Sequence, residues 1–151
     1  MGQLESADRV EALKLEREIQ LKWSQSGSAA MNLLLKRGKD ALERGETSLA
    51  IEHFSALIDH APEFSEGWYQ RAQAWHQLDK LGLSLSDIET TLRLNPNHFE
   101  AIFGFGVVLE QLGHLDLAYR AYGLVQDIHP HYDEAADAIE RLGPQVQGRE
   151  L

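Results

Sequence analysis

Seven histidines and an excess of carboxylates are the groups in this chain with chemistry to offer, since it contains no cysteine. His129 and His131 flank Pro130 at a spacing that could share a metal ion, and His60 and His98 stand at similar junctions earlier in the chain. His53, His76 and His114 complete the set. Among the carboxylates, Glu16 with Glu18, and Asp133 with Glu134 and Asp137, have helical spacings that a solvated face or a helix start explains. Nothing around them indicates the desolvation that general acid or base work requires. The chain has no Gly-rich phosphate loop, no Gly-x-Ser-x-Gly elbow and no His-Glu-x-x-His pair. The expectation is a protein that is not an enzyme, with no catalytic residue and no cofactor.

Composition narrows the partners. The 151 residues are 43% hydrophobic, enough to bury a core, and the length favours one domain. A net charge of -10, from 24 acidic and 14 basic residues, would repel a nucleic-acid backbone over most of the surface. The absence of cysteine excludes disulfides and thiolate chemistry and leaves the compartment open. No apolar run reaches the roughly 18 residues of a membrane span, and "MGQLESADRV" has neither the basic start nor the apolar stretch of a signal peptide.

The elements that position these residues are written as a period. Pro62, Pro96 and Pro130 are spaced evenly by 34 residues within "APEFSEGW", "NPNHFEAI" and "HPHYDEAA". Each proline closes one element, and the acid four places later (Glu66, Glu100, Glu134) suits the positive end of the next helix. Counting back gives repeats over 31–64, 65–98 and 99–132. Position eight of each is small (Gly38, Ala72, Gly106), as is position twenty (Ala50, Ser84, Ala118). Position four carries Leu34, Trp68 and Ile102, position eleven Ala41, Trp75 and Leu109, and position twenty-four Phe54, Ile88 and Tyr122. Two antiparallel helices that cross closely need small residues at the crossing and bulky ones beside it. One such pair cannot cover its own apolar face, so the pairs must stack. Stacking would hold the junction histidines apart, and structural or solvated histidine is expected rather than a metal site.

These residues carry a resemblance to the tetratricopeptide repeat family, whose pattern is Trp-x2-Leu-Gly-x2-Tyr, then Ala-x3-Phe, then Pro. The third repeat matches at Ile102, Phe105, Gly106, Leu109, Gly113, Ala118, Tyr122 and Pro130, and the first at Gly38, Gly45, Ala50, Phe54 and Pro62. The match covers about two thirds of the chain and implies an all-α, right-handed α-solenoid of three helix hairpins. Arg37 and Arg71 depart from the usual leucine at position seven. The second repeat has Asp79 where the inter-helix glycine belongs, with Gly82 three residues late, which leaves the geometry of that turn open.

Helices are expected over about 29–44, capped by Ser28, and over about 48–60, 66–79, 84–94, 99–112 and 115–128. The tetratricopeptide domain thus runs from 29 to 143, closed by a capping helix over 132–143 that ends at Gly143-Pro144. Residues 144–151 are expected to be a flexible tail. Residues 1–28 read as an amphipathic helix with Ala12, Leu15, Ile19 and Trp23 on one side and Val10, Leu13 and Leu21 on the other. One stripe would cap the first repeat; the second leaves open self-association or occlusion of a groove. A leading helix before three repeats is also similar to small bacterial tetratricopeptide proteins that are commonly exported, which favours a periplasmic over a cytoplasmic setting.

In the resembling family the inner face is lined by positions 2, 5, 9, 12 and 13. Carried over, with neighbouring positions, this gives Asn32, Leu35, Lys36, Lys39 and Leu42 in the first repeat. The second gives Glu66, Tyr69, Gln70, Gln73 and His76, and the third Glu100, Phe103, Val107 and Glu110. Apolar and aromatic anchors with scattered polar groups suit an extended peptide or an amphipathic helix of another protein. The competing reading is that Leu35 and Phe103 only pack against their neighbours or under the amino-terminal helix. Repeats that clamp a chaperone's terminal carboxylate have Lys or Arg at position five and Asn at nine. Here Leu35, Tyr69 and Phe103 occupy position five and Lys39, Gln73 and Val107 position nine, so that clamp is absent. The functional expectation is a non-catalytic interaction module; the alternative is a structural protein that self-assembles through the amino-terminal helix.

Overall fold

The structure is a computed structural model that describes residues 28–150, and among these there are seven helices and no strand. The amino-terminal helix expected over 1–28 otherwise lies outside the described residues. The chain divides at Ala61/Pro62 into two compact units.

The first unit contains α1 (Ala29–Glu43) and α2 (Thr47–His60). Ser28 starts α1 as expected: its Oγ accepts the Met31 N–H at 3.0 Å. Gly45, at φ 79°, ends the helix, with the Glu46 N–H reaching back to the Ala41 carbonyl at 2.8 Å. That six-to-one bond and the left-handed residue together are the Schellman arrangement. Across the hairpin the Phe54 ring lies against Gly38, where a Cβ would come within 2.2 Å of the ring. The small residue at position eight is there to admit the aromatic at position twenty-four. Ala41, Ala50, Phe54 and Leu57 are fully buried around this crossing.

The second unit runs through α3 (Ser65–Gln77), α4 (Leu81–Leu94), α5 (Phe99–Gln111), α6 (Leu115–Ile128) and α7 (Asp133–Glu150). In the α5–α6 hairpin the close crossing recurs, with Gly106 under the Tyr122 ring at 2.7 Å from a would-be Cβ. In α3–α4 the aromatic is replaced by Ile88, the small residue is Ala72, and Ser84 Oγ donates to the Ala72 carbonyl at 2.8 Å. The departure at Asp79 does not alter the turn. Asp79 takes φ 60°, and Lys80 N–H reaches the Trp75 carbonyl at 2.9 Å, repeating the bonds at Gly45 and Gly113. Aspartate is one of the few side chains that visit this region. Consequently α4 begins at Leu81, not at about residue 84 as the late Gly82 suggested.

The Arg71 departure also has a physical account. Its guanidinium grips Asp87 of α4 through two bonds, 2.7 and 3.0 Å, while Trp75 Nε1 donates to the same carboxylate at 3.0 Å. Asp87 is buried, and Arg71 also lies over the Trp68 ring. A leucine at position seven would leave that buried carboxylate its Trp75 bond but remove the Arg71 countercharge.

The carboxyl-terminal helix corrects the expected boundary. α7 passes through Gly143 and Pro144 and continues to Glu150, so the stop at 143 and the flexible tail over 144–151 do not hold through residue 150. Proline costs one intrahelical bond, but Leu142 and Val146 on either side of it are buried, so packing holds the next turn in place. Ala135, Ala138 and Leu142 join the cores built around Tyr122 and Val125.

Candidate functional site

The α3–α5 cleft is produced by the junction that precedes it. Asn95 ends α4, its Oδ1 accepts the Asn97 N–H at 3.2 Å, and His98 then caps α5 by accepting the Ala101 N–H on Nδ1 at 3.1 Å. With Nδ1 an acceptor, Nε2 carries the proton and donates to Glu66 at 3.0 Å. Glu66 also accepts from Gln70 at 2.8 Å, and the Tyr69 ring lies 4.6 Å from that of His98. Burial works against a charge on His98, but the bond to Glu66 and the carboxylates of Glu66 and Glu100 outweigh it and hold the imidazole above its usual value. The second and third repeats are thereby tied together at the base of the cleft.

The cleft has a volume of about 310 Å³. Tyr69, Gln73 and His76 of α3 form one wall, and Glu100, Phe103, Gly104 and Val107 of α5 the other. Ile88 and Ser84 lie behind them, and Tyr132 and Glu134, at the start of α7, close one side. His76 Nε2 donates to Gln111 Oε1 at 2.7 Å across it. Phe103 is 5.2 Å from the Tyr122 ring and 5.5 Å from Tyr132, so it supports the core with one part of its ring and lines the cleft with another.

Of the residues expected from the sequence, the structure gathers Tyr69, Gln73, His76, Glu100, Phe103 and Val107 around this one cleft. Gln70 is buried and engaged with Glu66, away from the cleft lining. Glu110, near the end of α5, accepts from Tyr122 Oη at 2.9 Å and from both terminal nitrogens of Arg141, which joins α5 to α6 and α7. The Arg141 bond holds the Glu110 carboxyl below its ordinary value; burial pushes the other way and the Tyr122 hydroxyl reinforces the lowering. Asn32, Leu35, Lys36, Lys39 and Leu42 all belong to α1 of the first unit. There Leu35 and Leu42 are half-buried, while Lys36 is exposed and pairs with Asp40 at 2.9 Å.

Gly104, Tyr132 and Glu134 were not among the residues expected to line the site. Gly104 had a sequence signal: a glycine inside a helical run costs stability, and nothing in the repeat pattern requires one at position six. Glu134 comes from the helix that follows the last complete repeat, and Tyr132 is the final residue of that repeat, just before α7; neither is at an inner-face position carried over from the family pattern. Among the described residues the paired histidines join no group of three or more possible metal ligands, and the His129 ring lies tilted 4.8 Å from that of Phe99.

Known proteins fit this architecture. The sequence profile of the tetratricopeptide repeat matches residues 35–89. A TPR repeat-containing protein of Rhizobium etli is 30% identical over 141 residues, spanning 93% of this chain and 69% of the relative. Among solved structures, the first TPR of Spaghetti (RPAP3), bound to the HSP90 peptide SRMEEVD, superposes with a TM-score of 0.73 at 22% identity, over 78% of this chain and 93% of that one. The TPR2B domain of yeast Sti1, in a pHsp70 complex, gives 0.72 at 16%, over 78% and 99%. The turns at Gly45, Asp79 and Gly113 keep a 34-residue register, and with the match to the relative from Rhizobium etli the chain belongs to the tetratricopeptide repeat family.

Proposed function

We propose that the α3–α5 cleft holds a peptide or helical segment of another protein, making this chain a non-catalytic interaction module. The observation that carries the reading is a cleft lined by half-buried aromatic and apolar side chains, Tyr69, Phe103 and Val107, with Gln73 and His76 set among them as polar guides. Apolar anchors give affinity and a few placed polar groups give register. The solved RPAP3 and Sti1 domains are described with HSP90 and Hsp70 ligands, which supports the same use of the fold here. Phe103 is a poor probe because its ring braces both Tyr122 and Tyr132, so the test uses Gln73→Ala with Val107→Ala, which removes less packing from the same core. A random peptide library displayed on phage and selected on the full chain should enrich sequences that this double variant binds about tenfold more weakly. Its melting temperature should stay within about 3 °C of the parent. No enrichment, or enrichment indifferent to the double variant, rejects the reading.

A further inference from the structure

The charged groups that line the cleft are of one sign. Glu100 and Glu134 are among its lining residues, which include no Lys or Arg. The two phenols in the cleft register that field. Burial first, and then Glu100 and Glu66, hold the Tyr69 hydroxyl above the usual phenol value. Tyr132 is pushed up to about 12, by burial first and then by its bond to Glu134 and the charges of Glu134 and Glu100. The same sign prevails over the wider unit: residues 62–151 carry fourteen of the 24 acidic residues but only six of the 14 basic ones. Two of those six, Arg71 and Arg141, are bound to Asp87 and Glu110.

Aromatic faces beside carboxylates are complementary to a cation, because the ring quadrupole and the negative charges both favour positive charge at the same place. We propose, resting on the peptide-binding reading above, that the cleft selects a cationic segment of a partner protein. A Lys or Arg side chain sits within reach of Glu100 and Glu134 against the Tyr69 and Tyr132 rings, beside an apolar residue over Phe103 and Val107. The polarity is opposite to that of an acidic tail such as SRMEEVD, the peptide bound by the RPAP3 domain. Charge also argues against the two occupants closest at hand. Residues 1–27 contain five acidic and four basic residues and offer no positive excess, and a second copy of the chain brings a net charge of -10.

The peptides enriched in the phage selection decide the matter by their composition. They should be rich in Lys and Arg next to an aliphatic or aromatic residue. The Glu100→Gln/Glu134→Gln variant should bind them about tenfold more weakly, and their binding should fall steeply between 50 and 500 mM salt, where the screening length shortens from roughly 14 to roughly 4 Å. A control of equal charge removed at exposed residues outside the cleft lining, Glu89→Gln with Asp127→Asn, should change binding by less than about twofold at 150 mM salt, since a charge that makes no contact with the ligand is largely screened. Enriched peptides that depend on Gln73 and Val107 but lack basic residues overturn the cationic partner and leave the groove standing. Equal losses in the two charge-removed variants also overturn it, as does tighter binding of the peptides once residues 1–27 are deleted combined with loss of the basic preference. A selection that yields nothing overturns the groove itself.

Discussion

Two glycines in α5 separate structure from use at the scale of single residues. At Gly106 a methyl group would meet the Tyr122 ring at 2.7 Å, and that ring is fixed by its hydroxyl bond to Glu110. Gly106→Ala is therefore expected to destabilise by about 1–3 kcal/mol, the range for overpacking a close crossing, read as a lower urea midpoint. At Gly104 the nearest atom to a Cβ is Ile88 Cδ1 at 3.8 Å, an ordinary contact. Gly104→Ala should raise stability by about 1 kcal/mol through helix propensity while narrowing the cleft and weakening ligand binding. Asp79 supplies the third case. Relief of its left-handed conformation exceeds the extra chain entropy that glycine loses on folding, so Asp79→Gly should raise the melting temperature by about 1–3 °C. A fall would show that the aspartate side chain stabilises the turn by a contact of its own.

Pairs of helices are held by polar contacts that the repeat pattern does not specify. Arg71 ties α3 to α4 only because Asp87 is buried opposite it. Arg71→Leu, although it restores the family's usual residue, is expected to cost about 3 kcal/mol by stranding a buried carboxylate. Adding Asp87→Asn keeps an acceptor for Trp75 and should recover most of the loss, as measured by chemical denaturation. Full loss in the double variant would mean that the guanidinium acts mainly by packing on Trp68. Glu110 ties α5 to α7, and its carboxyl is held below the ordinary value, so its contribution is present above the unfolded carboxylate value of about 4.3 and is lost as pH falls through the lower folded value. The stability gap between the parent and Glu110→Gln should thus be wide at pH 7 and close on acidification below about pH 4. A gap independent of pH would contradict the ion pair.

Elements were legible in the sequence where a single residue type was the only physical solution. Pro62, Pro96 and Pro130 marked the junctions because proline cannot continue a helix, and Gly38 and Gly106 marked the crossings because no larger residue fits under an aromatic ring. The turn at Asp79 was not legible, since aspartate reaches the left-handed region only in a context the surrounding bonds provide. Nor was the end of α7, where burial of Leu142 and Val146 outweighs the local signal of Gly143-Pro144. Of the cleft, the residues at recurring positions were readable, because helical spacing sends them to one side. Glu134 and Tyr132 were not, because they enter from α7 and from the junction just before it, and Gln70 is buried and bonded to Glu66 instead of lining the cleft.

At the scale of the whole molecule, the described residues include two apolar hollows that invite comparison, the α3–α5 cleft and one beside α6. Leu117 and Leu124 on α6 are about half exposed, at 46% and 54%, beside an apolar hollow that Ile102 and Phe105 also line. The α3–α5 cleft differs in carrying several polar guides and two carboxylates, where the lining of the hollow has Arg120 as its polar residue, and such placed groups confer specificity. The choice between them is settled by a nuclear magnetic resonance titration of the full chain with a phage-selected peptide, following backbone amide shifts to saturation. The perturbed amides should centre on Tyr69, Gln73, Gly104 and Val107 and leave Leu117 and Leu124 unmoved. Shifts centred on Leu117 and Leu124, with the cleft amides unchanged, would contradict the assignment of this cleft as the ligand site.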